Sequence, residues 1–214
     1  MRIAILGAGN VGGALGKAWA RKGHTIAYGV PNPTEAKYRA AAAAAGGARI
    51  ASVADAAHNA DALVLAVPFP SVDAALAAAG NLSGRLVIDV TNPLRMGPAG
   101  LELSLGFDRS GAEHIAARAP GAAVFKTLNQ VGYEVMANAT GYAAPPVMFV
   151  AGNDAVRKPL VMSLVSDLGF NAVDAGPLTT ARLLEPLAML WIHMALNLHA
   201  ASDNAFAYLT RGRT

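Results

Sequence analysis

The chain has no cysteine. That removes disulfides, thiolate metal sites and a cysteine nucleophile, and it fits a reducing, cytoplasmic setting. Charge is scarce as well. Asp, Glu, Lys and Arg make up 14% of the 214 residues, against roughly 25% in an ordinary soluble domain. With 54% apolar residues, the chain must bury a large fraction of itself or hide part of its surface against a partner subunit. The formal net charge is +3 and no lysine or arginine stripe forms, so no nucleic-acid partner is expected. Arg211 and Arg213 read as a solvated helix end. No apolar run free of charge and proline reaches the ~18 residues of a membrane span. None of the five histidines, His24, His58, His114, His193 and His199, stands at a metal-ligand spacing, and no metal is expected. Arg2 followed by an apolar stretch and Ala18-Trp19-Ala20 imitates an export signal, but Gly7, Gly9, Asn10 and Lys17 interrupt it.

What is present is an alternation of apolar runs and helical stripes. Ile3–Leu6 ends in glycine and reads as a buried parallel strand. Val11, Leu15, Ala18 and Trp19 recur at helical spacing, predicting a helix over Asn10–Lys22 closed by Gly23. Further strands are expected at Thr25–Tyr28, Ala62–Val67, Leu86–Val90 and Ala122–Phe125. Helices are expected from about Thr34, over Ser71–Ala79 with Ser71 as N-cap, and over Glu113–Arg118. This order predicts an α/β, Rossmann-type, doubly wound parallel sheet with helices on both faces. The Asn- and Pro-bearing loop Asn138–Pro146 is the candidate boundary between a dinucleotide-binding domain, 1–145, and a small C-terminal part, 146–214. In that part Val147–Val150, Asp154–Leu168 and Phe170–Val173 form a further βαβ unit. Leu183–Leu198 is apolar nearly all round, and such a helix must be buried, inside the protein or, preferably, in a homodimer contact.

The chemistry concentrates at Gly7-Ala8-Gly9-Asn10-Val11-Gly12. A G-x-G-x-x-G that follows a strand, opens a helix and lies in the first βαβ unit is a dinucleotide fingerprint. Gly7 allows the tight turn, Gly9 lets the pyrophosphate approach the backbone, and Gly12 lets the helix pack on the strand. The helix N-terminus offers unpaired N–H groups to the anion. NAD enzymes usually place an acid ~20 residues further on. Here Gly29, Val30, Pro31 and Asn32 carry none, which leans towards NADP over NAD and leaves Asn32 or Lys37 to meet the 2′-phosphate.

These residues resemble the NADPH-dependent coenzyme F420 reductase family (the F420H2:NADP oxidoreductases) over nearly the whole chain. The opening Met1–Gly7 with Gly9–Gly12 carries the resemblance. So do Thr127–Gly132, Met136–Asn138, Met148–Val150 with Gly152–Asp154, and above all Asp174–Leu178 followed by Ala181–Glu185. The resemblance implies hydride transfer between a nicotinamide and a deazaflavin, and a homodimer of compact two-part subunits. The cytosolic domain of the STEAP metalloreductases, which passes hydride to a flavin, is a more distant likeness. The chain departs from the family in carrying Val30-Pro31-Asn32 where Ser-Arg or a nearby arginine is common.

Hydride transfer needs aligned rings more than reactive side chains, in keeping with a sequence that shows no triad or metal cluster. Ligands of an open parallel sheet lie beyond the carboxyl ends of its strands. That rule selects Val67, Pro68 and Phe69 beside the nicotinamide ribose, and Thr91 and Asn92 for the carboxamide. Pro93, Leu94, Thr127 and Asn129 are candidates to touch the acceptor, coenzyme F420 or FMN/FAD. Lys126 is the candidate catalytic residue, with a structural ion pair or a phosphate contact as the competing role. Arg182 and Glu185 have the spacing to pair with each other along a helix. Two other readings remain open at this point: an NAD(P)-dependent imine or 2-hydroxy-acid reductase with Lys126 as proton donor, and a non-catalytic NADP(H)-binding redox sensor.

Overall fold

A computed structural model describes residues 1–98, 100–198 and 200–211. The chain runs β1 (Arg2–Leu6), α1 (Asn10–Arg21), β2 (Thr25–Gly29), α2 (Arg39–Ala44), β3 (Arg49–Ala51), α3 (Val53–His58), β4 (Ala62–Leu65), α4 (Val72–Ala79) and β5 (Leu86–Asp89). It continues with β6 (Leu94–Gly97), β7 (Gly100–Leu103), α5 (Gly111–Arg118), β8 (Ala123–Lys126), α6 (Tyr133–Ala137), β9 (Val147–Gly152), α7 (Lys158–Asp167), β10 (Asn171–Asp174) and α8 (Ala181–Asn197). Among the described residues an eight-stranded sheet has the order β10-β9-β8-β5-β4-β1-β2-β3, and β6 and β7 form a separate hairpin.

Strand alternation sends side chains to both faces. Ile3 and Ile5 join Leu15, Trp19, Tyr28, Phe125 and Val161 on one side; Leu6, Leu63 and Leu65 join Leu76, Ala112 and Ile115 on the other. The faces are thus covered by α1, α6 and α7, and by α3, α4 and α5, respectively. The doubly wound architecture is as the sequence predicts. Trp19, fully buried, donates its indole N–H to the Leu164 carbonyl at 2.9 Å and pins α1 to α7.

Four differences have local causes. β9 pairs with β8 antiparallel, through Phe125↔Gly152 and Lys126↔Ala151, although β9 and β10 run parallel. A parallel strand needs a crossover that carries the chain back to the far edge, usually a helix. α6 has five residues and spans only about 7.5 Å, so the chain re-enters from the edge it left. Secondly, β3 and α3 fall in alanine-rich sequence with little periodicity to betray them. Thirdly, α7 starts at Lys158 because Asp154 Oδ1 accepts the amides of Val156 and Arg157 and closes a turn there. Fourthly, Ser71 occupies the cap position of α4 without a side-chain capping bond. At the chain's end α8 stops at Asn197 and Arg211 lies in exposed coil, not at a helix end; Arg213 and His199 lie outside the described residues.

Tyr28 is fully buried, and among the described residues its hydroxyl has no hydrogen-bond partner. It sits against Gly16, where a Cβ would come within 2.0 Å of the phenol oxygen. Burial pushes the phenol up to about 12. A folded pKa above the unfolded value of about 10 means the stability held by the neutral phenol is complete below pH 10 and lost as pH rises towards about 12. Tyr28→Phe should match or exceed the wild-type unfolding free energy in urea titrations at pH 7, by up to about 1 kcal/mol, and should flatten the stability loss above pH 10. A clear drop in midpoint at pH 7 would show that the hydroxyl has a partner.

Candidate functional site

The chain leaves β1 for β2 on one side and later returns to β4 on the other, so the sheet order reverses between β1 and β4. In doubly wound sheets the ligand crevice opens at that point, outside the carboxyl ends. The glycine turn lies there. Gly7 has φ +106, and a Cβ on it would meet the Ala66 carbonyl oxygen at 2.5 Å. Its N–H donates to the Gly29 carbonyl at 3.0 Å. Gly12 faces back onto the same turn, where a Cβ would stand 2.2 Å from the Gly7 oxygen. Gly9 is the N-cap of α1, and a Cβ on it would find nothing within 4 Å. The fold therefore requires Gly7 and Gly12, whereas the protein itself leaves Gly9 room for a side chain. The first turn of α1 carries no acid, so its free amides and partial positive charge face the cleft uncancelled.

Two hollows share Gly9, Ala66, Val67 and Pro68. The first, about 520 Å³, runs from the glycine turn past Gly29, Val30, Pro31 and Tyr38 to Ser71, Ala74, Ala75 and Ala78 of α4. The second, about 370 Å³, continues over Asn10, Val11 and Phe69 to Val90, Thr91, Asn92 and Leu94. Both are of ligand size, and among the described residues no charged side chain lines either. A third hollow of about 360 Å³ opens at the amino ends of β1–β3, on the opposite edge, between Arg2, Arg49 and His58. There Arg2 is held by Asp61 and Arg49 by the Asp55 carbonyl.

Gly7, Ala8, Gly9, Asn10, Val11, Gly29, Val30, Val67, Pro68, Phe69, Thr91, Asn92 and Leu94 all line this trough, with Gly12 packed directly beneath it. The other predicted site residues do not line it. Asn32 Oδ1 accepts from the Thr34 hydroxyl at 2.8 Å, within its own loop. Lys37 pairs with Glu35 at 2.5 Å on the surface, which holds its ammonium above the ordinary lysine value through the hydrogen bond to that carboxylate. Pro93 is buried and its carbonyl accepts the amide and hydroxyl of Ser104, fixing the β6–β7 hairpin. Thr127 is buried, and among the described residues its hydroxyl has no partner. Asn129 is buried and donates to Asn92 Oδ1 and to the Leu184 carbonyl, both at 3.1 Å, while Asn92 donates back to the Asn129 carbonyl. The turn that makes this clasp holds Leu128 at φ +59 with its amide on the Met148 sulfur. A leucine in that region costs about 1–2 kcal/mol.

Lys126 does not face the cleft. It is fully buried, 2.8 Å from Asp89 Oδ2, 3.1 Å from Glu185 Oε1 and 2.5 Å from the Thr91 carbonyl. Burial pulls the ammonium down, and the charges of Asp89 and Glu185 overcome it, so its pKa stands above the ordinary lysine value. Its hydrogen bonds to Asp89 and the Thr91 carbonyl and its salt bridge to Glu185 favour the ion-pair role over the proton-donor role. Arg182 pairs with Glu113 at 2.6 Å rather than with Glu185, because Glu185 points inward to Lys126 and α5. Sequence reasoning missed Tyr38 and the α4 alanines. Ala74, Ala75 and Ala78 share one helical face, and that small-residue face was the available signal.

The family model for coenzyme F420-dependent NADP oxidoreductases matches residues 2–93. A protein from Arthrobacter sp. FB24 described as a candidate F420-dependent NADP reductase has a solved structure with a TM-score of 0.89. It is 33% identical, over 98% of this chain and 100% of that one. The chain belongs to the coenzyme F420-dependent NADP oxidoreductase family. It is thus an oxidoreductase of an NAD(P)-dependent family. A hypothetical protein from Sinorhizobium meliloti is 28% identical over 86% of this chain and 90% of its own, with a TM-score of 0.76. Metalloreductase STEAP3 of Rattus norvegicus is 24% identical over 88% of this chain; the chain spans 37% of that protein's length. A reductive aminase from Aspergillus terreus solved with NADPH shares the fold at 20% identity and a TM-score of 0.67, over 92% of this chain and 62% of that one.

The glycine geometry separates two variants. Gly9→Ala should fold like the wild type yet lose most of its NADP(H) affinity, read by isothermal titration, because the new methyl occupies space the ligand needs. Gly12→Ala should lower the melting temperature outright. Wild-type binding by Gly9→Ala would refute the assignment of the diphosphate to this turn.

Proposed function

We propose that this oxidoreductase moves a hydride between NADP(H) and a planar deazaflavin, coenzyme F420, or a flavin such as FMN or FAD. The observation that carries the reading is the single trough across the glycine turn. It has one half sized and lined for an adenosine and the other walled by Val11, Val67, Phe69, Val90 and Leu94 with two polar groups, Thr91 and Asn92, at its end. The nicotinamide supplies the hydride. The residues' part is to bind and orient: amides of α1 take the diphosphate, Thr91 and Asn92 orient the carboxamide, and the apolar walls exclude water from the reacting faces.

NADP over NAD is supported by the lack of an acid from Gly29 to Asn32; an unpaired carboxylate there would repel a 2′-phosphate. Lys37 is the nearest predicted cation for that phosphate and would exchange Glu35 for it. With Lys126 enclosed, no ionisable side chain among the described residues lining the nicotinamide half offers the proton that the imine or 2-hydroxy-acid reading requires. Residues 1–145 are the dinucleotide-binding part and 146–214 the smaller C-terminal part, although β9 and β10 extend the same sheet. Stopped-flow oxidation of NADPH should be rapid and saturable with coenzyme F420 or with FMN and FAD, and slower with NADH. Failure to oxidise NADPH with any of these acceptors would overturn the reading.

The second part of the proposal is a homodimer through α8. Its inner face buries Ala181, Leu184, Glu185, Ala188 and Trp191, while Leu183, Leu190 and Leu196 on the outside are 68%, 50% and 60% exposed. Among the described residues no helix is long and apolar enough to cross a membrane. Leu190→Glu should convert a dimer to monomers in sedimentation velocity; a wild-type monomer would refute this part alone.

A further inference from the structure

Polar contacts are unevenly distributed along the trough. The adenosine half is walled by Val30, Pro31, Tyr38 and alanines, whereas behind the nicotinamide half lies a buried ionic network centred on Glu185 of α8. Glu185 is 1% exposed. Its Oε2 accepts the Gly111 amide at 3.0 Å and its Oε1 the Ala112 amide at 3.2 Å, both at the N-terminus of α5, where a carboxylate is favoured. The same Oε1 stands 3.1 Å from Lys126 Nζ. Lys126 donates to the Thr91 carbonyl, and Asp89 Oδ1 takes the amide and hydroxyl of Thr91 at 2.9 and 2.7 Å. One wall of the nicotinamide end is thereby referred to Glu185.

The opposite wall is referred to it as well. A Cβ on Gly111 would meet the Phe69 ring at 2.8 Å and Glu185 Oε1 at 3.2 Å. The aromatic edge that lines the trough and the carboxylate therefore press on the same glycine. The residue before Glu185 adds a third tie, since the Leu184 carbonyl holds the Asn129 amide that clasps Asn92. A buried ion cluster is weak evidence for stability, because well-packed apolar residues of the same volume often stabilise as much or more. Its confinement to one half of the cleft is what calls for another explanation.

We propose that Glu185 is a positioning residue. By holding Lys126 on Thr91 and α5 against Phe69, it sets the spacing of the two nicotinamide walls from α8. The proposal rests on the reading of this trough as the NADP(H) site. Misplacement by about 1 Å at a reacting centre costs up to roughly a hundredfold in rate.

The test compares Glu185→Gln with Glu185→Met, both of which leave Lys126 paired with Asp89 and Asp89 with its two bonds to Thr91. Folding is followed by circular dichroism. Affinity is measured for 2′,5′-ADP, which lacks the nicotinamide, and turnover is measured with NADPH and whichever acceptor the wild type reduces. A folded variant should keep the wild-type Kd for 2′,5′-ADP within about twofold while kcat falls roughly ten- to a hundredfold, with Glu185→Asp recovering part of the rate. Unchanged kcat, a parallel loss of 2′,5′-ADP affinity, or failure of both variants to fold would overturn the proposal and leave Glu185 a structural residue. A wild type that neither binds 2′,5′-ADP nor oxidises NADPH would instead strike the reading of the cleft.

Discussion

A single ammonium group, Lys126, sits in the interior with two carboxylates around it, and much of the molecule is arranged by the need to keep it satisfied. An uncompensated charge at that depth costs several kcal/mol. Asp89 at the end of β5, Lys126 at the end of β8 and Glu185 on α8 must therefore converge to within about 3 Å. That requirement fixes the register of β5 against β8 at their carboxyl ends and brings the C-terminal helix onto the sheet there. It also fixes α5, whose first amides end on Glu185. The carboxyl edge of the sheet therefore holds this ion cluster, and it is the edge on which the cleft opens.

The two halves of the cleft are built by different means. The glycine turn relies on backbone: a positive φ at Gly7, contact between Gly12 and the Gly7 carbonyl, and open space at Gly9. Nothing charged is needed, since helix amides supply the field for an anion. The far half relies on side chains held from behind, with Asn92 and Asn129 exchanging hydrogen bonds and Leu128 kept in a strained conformation to allow it. A backbone site tolerates drift in the surrounding side chains. A side-chain site does not, and here its supports come from β5, β8 and α8, which are far apart in the chain.

That contrast explains what could be read from the sequence. The glycine turn, its strand and its helix are local, so spacing alone revealed them, and the parallel core followed from the repeated βαβ pattern. Thr91 and Asn92, which line the cleft, could be picked out because a strand end is also local. The part played by Lys126 was not legible. Its partners Asp89 and Glu185 lie 37 and 59 positions away, and a lysine after an apolar strand looks the same whether it faces a ligand or a carboxylate. Arg182 and Glu185 illustrate the same limit: helical spacing favours their pairing, but the helix carries them to different sides. The reversal at β9 was hidden because it depends on the length of α6, a five-residue helix that leaves little periodic trace.

The reversed entry of β9 has a consequence for how this chain can change over time. Because β9 runs against its neighbour β8, and β10 runs parallel to β9, the loops that follow them, around Asn153 and Ala175, emerge on the edge remote from the crevice. Lengthening the loop after β9 would leave that crevice untouched, whereas the loop after β10 leads straight into α8 and Glu185. One rim thus stays under strict constraint, and the other is open to change at the loop after β9.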